Sequence, residues 1–181
     1  MSTGQIIALV IAAVLVFWMV GAYNRLVALR NEIGRAFQQV DERLLQRGAA
    51  VAPLVAALRE PLAAEQGALD ALLAAQAQVR SAADALKARP VEAQLAAALV
   101  AAEAAMGSAA SRLLALLDQH PALRDDETIA PHVGSLRDGD GRLVFMRQHF
   151  NDAALAYNEA AHQFPTRLLT RWFSFGAAGR L

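Results

Sequence analysis

Residues 6–23, IIALVIAAVLVFWMVGAY, form an unbroken apolar run with no charged side chain. As a helix the run is about 27 Å long, close to the roughly 30 Å hydrocarbon core of a bilayer. A helix bonds all of its own backbone polar groups, so such a run can lie in lipid. The expected span is marked by Ile6, Val10, Val14, Trp18 and Tyr23, with Trp18 and Tyr23 at headgroup level and Arg25 where the chain re-enters water. A buried core helix seldom runs this far without a polar residue. A cleaved secretory signal would carry basic residues ahead of the apolar stretch. Met1-Ser2-Thr3-Gly4-Gln5 carries none, although Val20-Gly21-Ala22 would serve as a cleavage site.

Charge sets the expected orientation. Arg25, Arg30 and Arg35 follow the run against a single nearby acid, Glu32, and no charged side chain precedes it. Positive flanks stay cytoplasmic, so the expectation is a single-pass protein of the cell (inner) membrane, with a short exposed N-terminus (residues 1–5) outside and the bulk of the chain in the cytoplasm.

The remaining residues can bury one core. The 17 basic and 17 acidic side chains balance and all lie beyond residue 23, which gives no electrostatic drive toward nucleic acid. Cysteine is absent, which excludes disulfides, thiolate metal sites and a cysteine nucleophile. Alanine, leucine, arginine and glutamine dominate, and these favour helix. The predicted fold class is all-α: an N-terminal transmembrane helix continuing into an antiparallel bundle of four long helices over residues 24–164, then an amphipathic tail over 165–181.

The bundle is read from seven-residue series. Leu26, Ile33, Val40 and Leu54 interleave with Phe37, Leu44, Val51 and Leu58, the seam of a helix packed on long neighbours. Arg47 interrupts this seam. Pro53 should bend or break the helix, and Glu60-Pro61 should end it. A second helix is expected over residues 62–87 and a third over 91–119, whose face reads Leu95, Ala102, Ala109 and Leu116 with Leu99, Met106 and Leu113. Arg89-Pro90 and His120-Pro121 end them. Asp126 suits an N-cap. Residues 137–141 hold two glycines and predict a turn. The last helix, residues 142–164, carries Leu143, Phe150, Tyr157 and Phe164 at seven-residue steps in line with Leu136. By parity the tail should finish beside the membrane, near Tyr23. There Arg167, Arg171, Trp172 and Phe173 would either make a second membrane contact or cap the end of the bundle.

Catalytic and metal patterns fail on spacing. His120, His132, His149 and His162 are never three or four residues apart, so no two share a helix face. Asp138-Gly139-Asp140-Gly141 begins like a calcium loop, but Arg142 stands at the fifth position and no closing glutamate follows. No glycine loop precedes a lysine in the phosphate-cradling pattern, and Lys87 is the sole lysine. The expectation is no cofactor and no catalysis. The polar residues that need explaining are Asn24 and Asn31 on the first helix and Asn151 and Asn158 on the last, each pair seven apart, which antiparallel packing could bring together. Buried amides must be hydrogen-bonded, so a register role is the first reading and a polar patch for a partner the second.

Tyr23-Asn24-Arg25-Leu26-Val27, Leu29-Arg30-Asn31, the Arg47 region, Leu113 to Leu116 running into Pro121-Ala122-Leu123, then Arg147, Phe150-Asn151-Asp152, Tyr157-Asn158 and Phe164-Pro165 together resemble the LemA family. Phe150 stands where that family usually has tyrosine, and Gln76 where it tends to have arginine. The resemblance implies a membrane-anchored antiparallel helical bundle with a short exposed N-terminus, and it supplies no reaction. The leading expectation is a scaffold or adaptor whose partners are the lipid bilayer and either further copies of itself or another membrane protein. The alternative is a membrane-tethered sensor that binds a ligand between helices through Arg47, Arg147 and the asparagines.

Overall fold

A computed structural model describes residues 2–137, 141–163, 166–167 and 176–181. Among these the secondary structure is helical, with no strand. Helix α1 runs from Thr3–Gly48, 46 residues or about 69 Å. The apolar side chains of residues 6–20 are exposed, and burial begins at Leu26. The stripe then recurs at Ile33, Ala36, Phe37, Val40 and Leu44. All eight positions of the expected seam are buried, through α2 (Val51–Leu58).

The break between α1 and α2 falls at Ala49 and Ala50, just ahead of Pro53. Proline has no N–H to offer the carbonyl of Ala49, and its ring crowds that carbonyl. The ladder resumes when the Leu54 N–H donates to the Ala50 carbonyl at 3.2 Å. A 3-10 turn, Ala63–Glu65, leads into α3 (Gln66–Ala88), and α4 follows at Ala93–Asp118. Two short helices, α5 (Pro121–Arg124) and α6 (Ala130–Arg137), precede α7 (Gly141–His162). Asp126 stands ahead of α6 at a turn, where its Oδ1 accepts from the Thr128 N–H at 2.8 Å and from the Thr128 hydroxyl at 2.6 Å.

Cross-helix contacts fix direction. Arg25 donates to Gln163, and Phe37 meets Phe150 edge to face with ring centroids 5.9 Å apart, so α7 runs antiparallel to α1. Asp41 bonds Lys87, and Gln76 overlies Gly48, so α3 is antiparallel to α1 as well. The closest pairings are α3 with α4 and α1 with α7, with α1 on α3 lighter. Between α4 and α7 the bridge is a side-chain ion pair and the segment 176–181, rather than close backbone packing.

Two expectations change. On α4 the buried residues are Ala96, Ala102, Ala110 and Leu117 beside Leu99, Met106 and Leu113, so Ala102 is buried as expected, while Leu95, Ala109 and Leu116 are half-exposed. The helix is rotated by about one residue, because an alanine-rich surface offers neighbouring stripes of nearly equal apolarity. The region between α4 and α7 holds two short helices, α5 and α6, where the sequence marked only Asp126 as an N-cap. The expected turn at Asp138 to Asp140, and Phe164, lie outside the described residues.

Of the helices, α1 with α2 is long and apolar enough to cross a membrane, with a mean hydropathy of 2.6 over its best window and none of that window buried. Helix α4 meets the same criterion of length and composition at 1.3, but it is packed against α3.

Candidate functional site

The most elaborate polar arrangement is on α7. Asn158 donates from Nδ2 to the Ala178 carbonyl at 3.0 Å and accepts the Ala178 N–H on Oδ1 at 2.8 Å. Seven residues earlier, Asn151 makes the same pair of bonds with Leu181, both at 2.8 Å. Between them, the Tyr157 hydroxyl donates to the Gly176 carbonyl at 3.2 Å. One carboxamide thus closes a two-bond ring with the main chain of one residue, and it does so twice. Burial pushes the Tyr157 phenol above its ordinary range, with the nearby Arg30 charge acting the other way, so the hydroxyl stays protonated and keeps donating.

The segment 176–181 lies in a groove whose other wall is the start of α4. A Cβ at Gly179 would come within 2.7 Å of the Ala96 Cβ and 2.8 Å of the Ala93 Cα. Ala178 is buried, and Leu181 packs against the core. Leu181 sits by Asn151, next to Phe150 and so near the level of Phe37, which is about 21 Å along α1 from Tyr23. The segment therefore ends away from Tyr23. Thr166 is buried and Arg167 is exposed. Arg171, Trp172 and Phe173 lie outside the described residues.

The asparagine pairs do not meet among the described residues. Asn24 is exposed. Asn31 is exposed on an open groove of about 530 Å³, lined also by Tyr23, Val27, Arg30 and Pro90. Ile6, Val10, Val14, Trp18 and Tyr23 are all exposed along α1.

Arg147 pairs with Glu103 of α4 inside the bundle. Arg47 lines a cavity of about 10 Å³ with Glu103, Gln76 and Met106. That is room for about one water. The Nε atoms of Arg47 and Arg147 are buried without a partner among the described residues. A Cβ on Gly48 would overlap the Gln76 carboxamide, so the gap left by a missing side chain is filled by another helix's amide.

Asp41 was not singled out from the sequence, yet it is the buried acid of α1. It accepts from Arg80 at 2.7 Å and from Lys87 at 2.8 Å, and its side chain is 3% exposed. Burial pushes its pKa up; the bonds and charges of Lys87 and Arg80 outweigh this and hold it below the usual carboxylate range. Arg80 also pairs with Asp84. The sequence signal was available: a lone aspartate next to the apolar position Val40, on the stripe side of the helix. Among the described residues no group of three or more His, Cys, Asp or Glu side chains converges as a metal site. Nor do the bonds described here join a nucleophile to a base in an open cleft. The arrangement binds main chain and holds helices together.

A curated relative, "Magnetosome protein MamQ" of Magnetospirillum gryphiswaldense (strain DSM 6361 / JCM 21280 / NBRC 15271 / MSR-1), is 34% identical over 68 residues, which is 38% of this chain. The match spans 25% of that relative's length. The family model described as "LemA family" matches residues 36–180, from the middle of α1 through the docked segment, and the chain belongs to that family.

Proposed function

We propose that the protein is a membrane-anchored helical scaffold or adaptor that acts by protein contact without catalysis. One observation carries this reading: a single helix runs unbroken from the exposed apolar stretch at residues 6–23 into the packed core that begins at Leu26. An apolar surface of this length, exposed along the helix, matches a bilayer in thickness. Continuity of the helix would hold the bundle at a fixed height above the membrane. The excess of arginine just after the span, at Arg25, Arg30 and Arg35, supports a bundle on the cytoplasmic side of the inner membrane in a single-pass topology. A ligand sensor using Arg47 and Arg147 is disfavoured, because the cavity there admits about one water.

The test is fractionation of gently lysed cells expressing the full chain, followed by an alkaline carbonate wash. Retention in the washed membrane pellet is expected. Recovery in the aqueous fraction would overturn the anchor and with it the scaffold. Protease access to the bundle in sealed vesicles of known orientation checks the sidedness. Crosslinking in intact cells is expected to capture protein partners, and capture of none would remove the contact role.

A further inference from the structure

One face of α1 is continuous from the apolar stretch into the bundle. Val16, Val20, Tyr23, Val27, Arg30 and Gly34 follow one another at steps of four and three residues, so they share one side of the helix. Val16, Val20 and Tyr23 are exposed. From Tyr23 onward the same face becomes a wall of the open groove of about 530 Å³, a volume ordinary for a small-molecule site. A Cβ on Gly34 would meet the Pro90 ring at 3.9 Å, so the missing side chain keeps the groove open beside the α3–α4 connection.

The groove is electropositive. Arg30 and Arg35 line it with the Asn31 carboxamide, and no acid is among its lining residues. Arg35 is engaged, its Nε donating to Glu32 at 3.0 Å. Arg30 is exposed and makes no ion pair among the described residues. Side chains on a helix lean toward its N-terminus, which here is toward the apolar stretch. Arg30 stands about 10 Å beyond Tyr23 along the axis, so this lean brings its guanidinium within reach of a headgroup layer about 5–7 Å deep. A guanidinium matches a phosphate with two parallel donors. A zwitterionic headgroup would find no carboxylate in the lining for its ammonium. A soluble phosphate would leave the apolar half of the face unused, whereas a phospholipid uses both halves.

We propose that this groove seats the phosphate headgroup of an anionic phospholipid, with the acyl chains lying along Val16 and Val20. Arg30 binds the phosphate, Asn31 donates beside it, and Gly34 leaves the space. The proposal rests on the anchored reading above, which puts residues 6–23 in lipid, and names a lipid class for that anchor.

The test reconstitutes the full chain into phosphatidylcholine vesicles holding a minor share of phosphatidylglycerol. Flotation of the vesicles reads the anchor. Mild detergent extraction, purification and analysis of the retained lipid read the site. Wild type should float, and its retained lipid should be enriched roughly tenfold in phosphatidylglycerol over the bulk, the factor of one charge-assisted contact. Arg30→Gln and Gly34→Leu should return the ratio to that of the bulk, the second with no change of charge. Arg25→Gln removes the same charge nearer the apolar stretch but outside the groove, and should keep the enrichment. Equal losses in Arg25→Gln and Arg30→Gln would mean diffuse attraction, which overturns the site. Flotation without enrichment overturns the site and leaves the anchor standing; failure to float removes both. Release of the phosphatidylglycerol by inorganic phosphate would make the ligand a soluble anion and overturn the lipid assignment. Circular dichroism checks folding. Should Gly34→Leu unfold, Asn31→Leu at an exposed position takes its place and should also lower the enrichment.

Discussion

Lys87, the sole lysine of the chain, reaches from α3 to the buried carboxylate of Asp41 on α1, with Nζ 2.8 Å from Oδ2. Arg80 takes the other oxygen. Because the folded-state pKa of Asp41 lies below its ordinary value, the carboxylate contributes its full stability above about pH 4–5. That contribution is lost as pH falls through the lower, folded-state value. Acid melts of the soluble bundle should therefore show wild type losing stability below about pH 4. Asp41→Asn should be weaker at neutral pH and flatter through the acid range. Both cations are partly exposed and can regain water, so the neutral-pH loss should be about 2–3 kcal/mol rather than the larger cost of stranding a fully buried charge. A wild-type acid profile as flat as that of Asp41→Asn would refute the assignment.

Phe37 and Phe150 set the register of α1 on α7 by an edge-to-face contact at 66° between fully buried rings. Replacing either with alanine removes apolar burial and leaves a cavity, at about 3–5 kcal/mol each. Chemical denaturation of both single variants and the double variant should give a coupling of about 0.5–1.5 kcal/mol, the part that belongs to the ring pair itself. Strict additivity would mean that the two rings do not sense one another.

The helices of this fold were legible where large apolar residues recur at a fixed step. Leu26, Ile33, Phe37 and Val40 on α1, and Leu143, Phe150 and Tyr157 on α7, are buried as their spacing implied. Legibility failed on α4, where alanine gives neighbouring stripes almost the same transfer energy and only the partner helix chooses between them. At the candidate site the asparagines stood out, but their ligand did not. Residues 176–181 have no helical or strand period and little charge, so nothing local marks them as a docked segment; the useful sign was the run Gly176-Ala177-Ala178-Gly179, small enough for close backbone approach. Asp41 was hidden for a different reason: its partners lie 39 and 46 residues away on another helix.

Glu103 on α4 is 11% exposed in its side chain and faces Arg147 of α7 as its ion-pair partner. Arg147→Met should strand that acid and cost about 3–5 kcal/mol. Glu103→Met leaves an arginine whose Nε is already buried and unbonded, so it too should be destabilising. Changing both to methionine removes two desolvated charges at once and should recover most of the loss, to within about 1 kcal/mol of wild type. Thermal melts of the three variants measure this, and a double variant as weak as the sum of the singles would show that the two charges act independently.

Asn158 holds the Ala178 amide by a single side-chain bond, so hydrogen exchange at that amide reports the grip directly. In wild type the Ala178 and Leu181 amides should exchange more slowly than the exposed Ala177 amide, since both donate to a carboxamide oxygen. Asn158→Ala removes the acceptor of one and leaves the other. Exchange at Ala178 should rise by about tenfold, as expected for the loss of a bond worth roughly 1.4 kcal/mol, while Leu181 changes less. Tyr157→Phe, which removes only the donor to the Gly176 carbonyl, should leave both protected. Fast exchange at Ala178 and Leu181 in wild type would mean that the segment is not held by α7, and the two asparagines would then lose the role assigned to them.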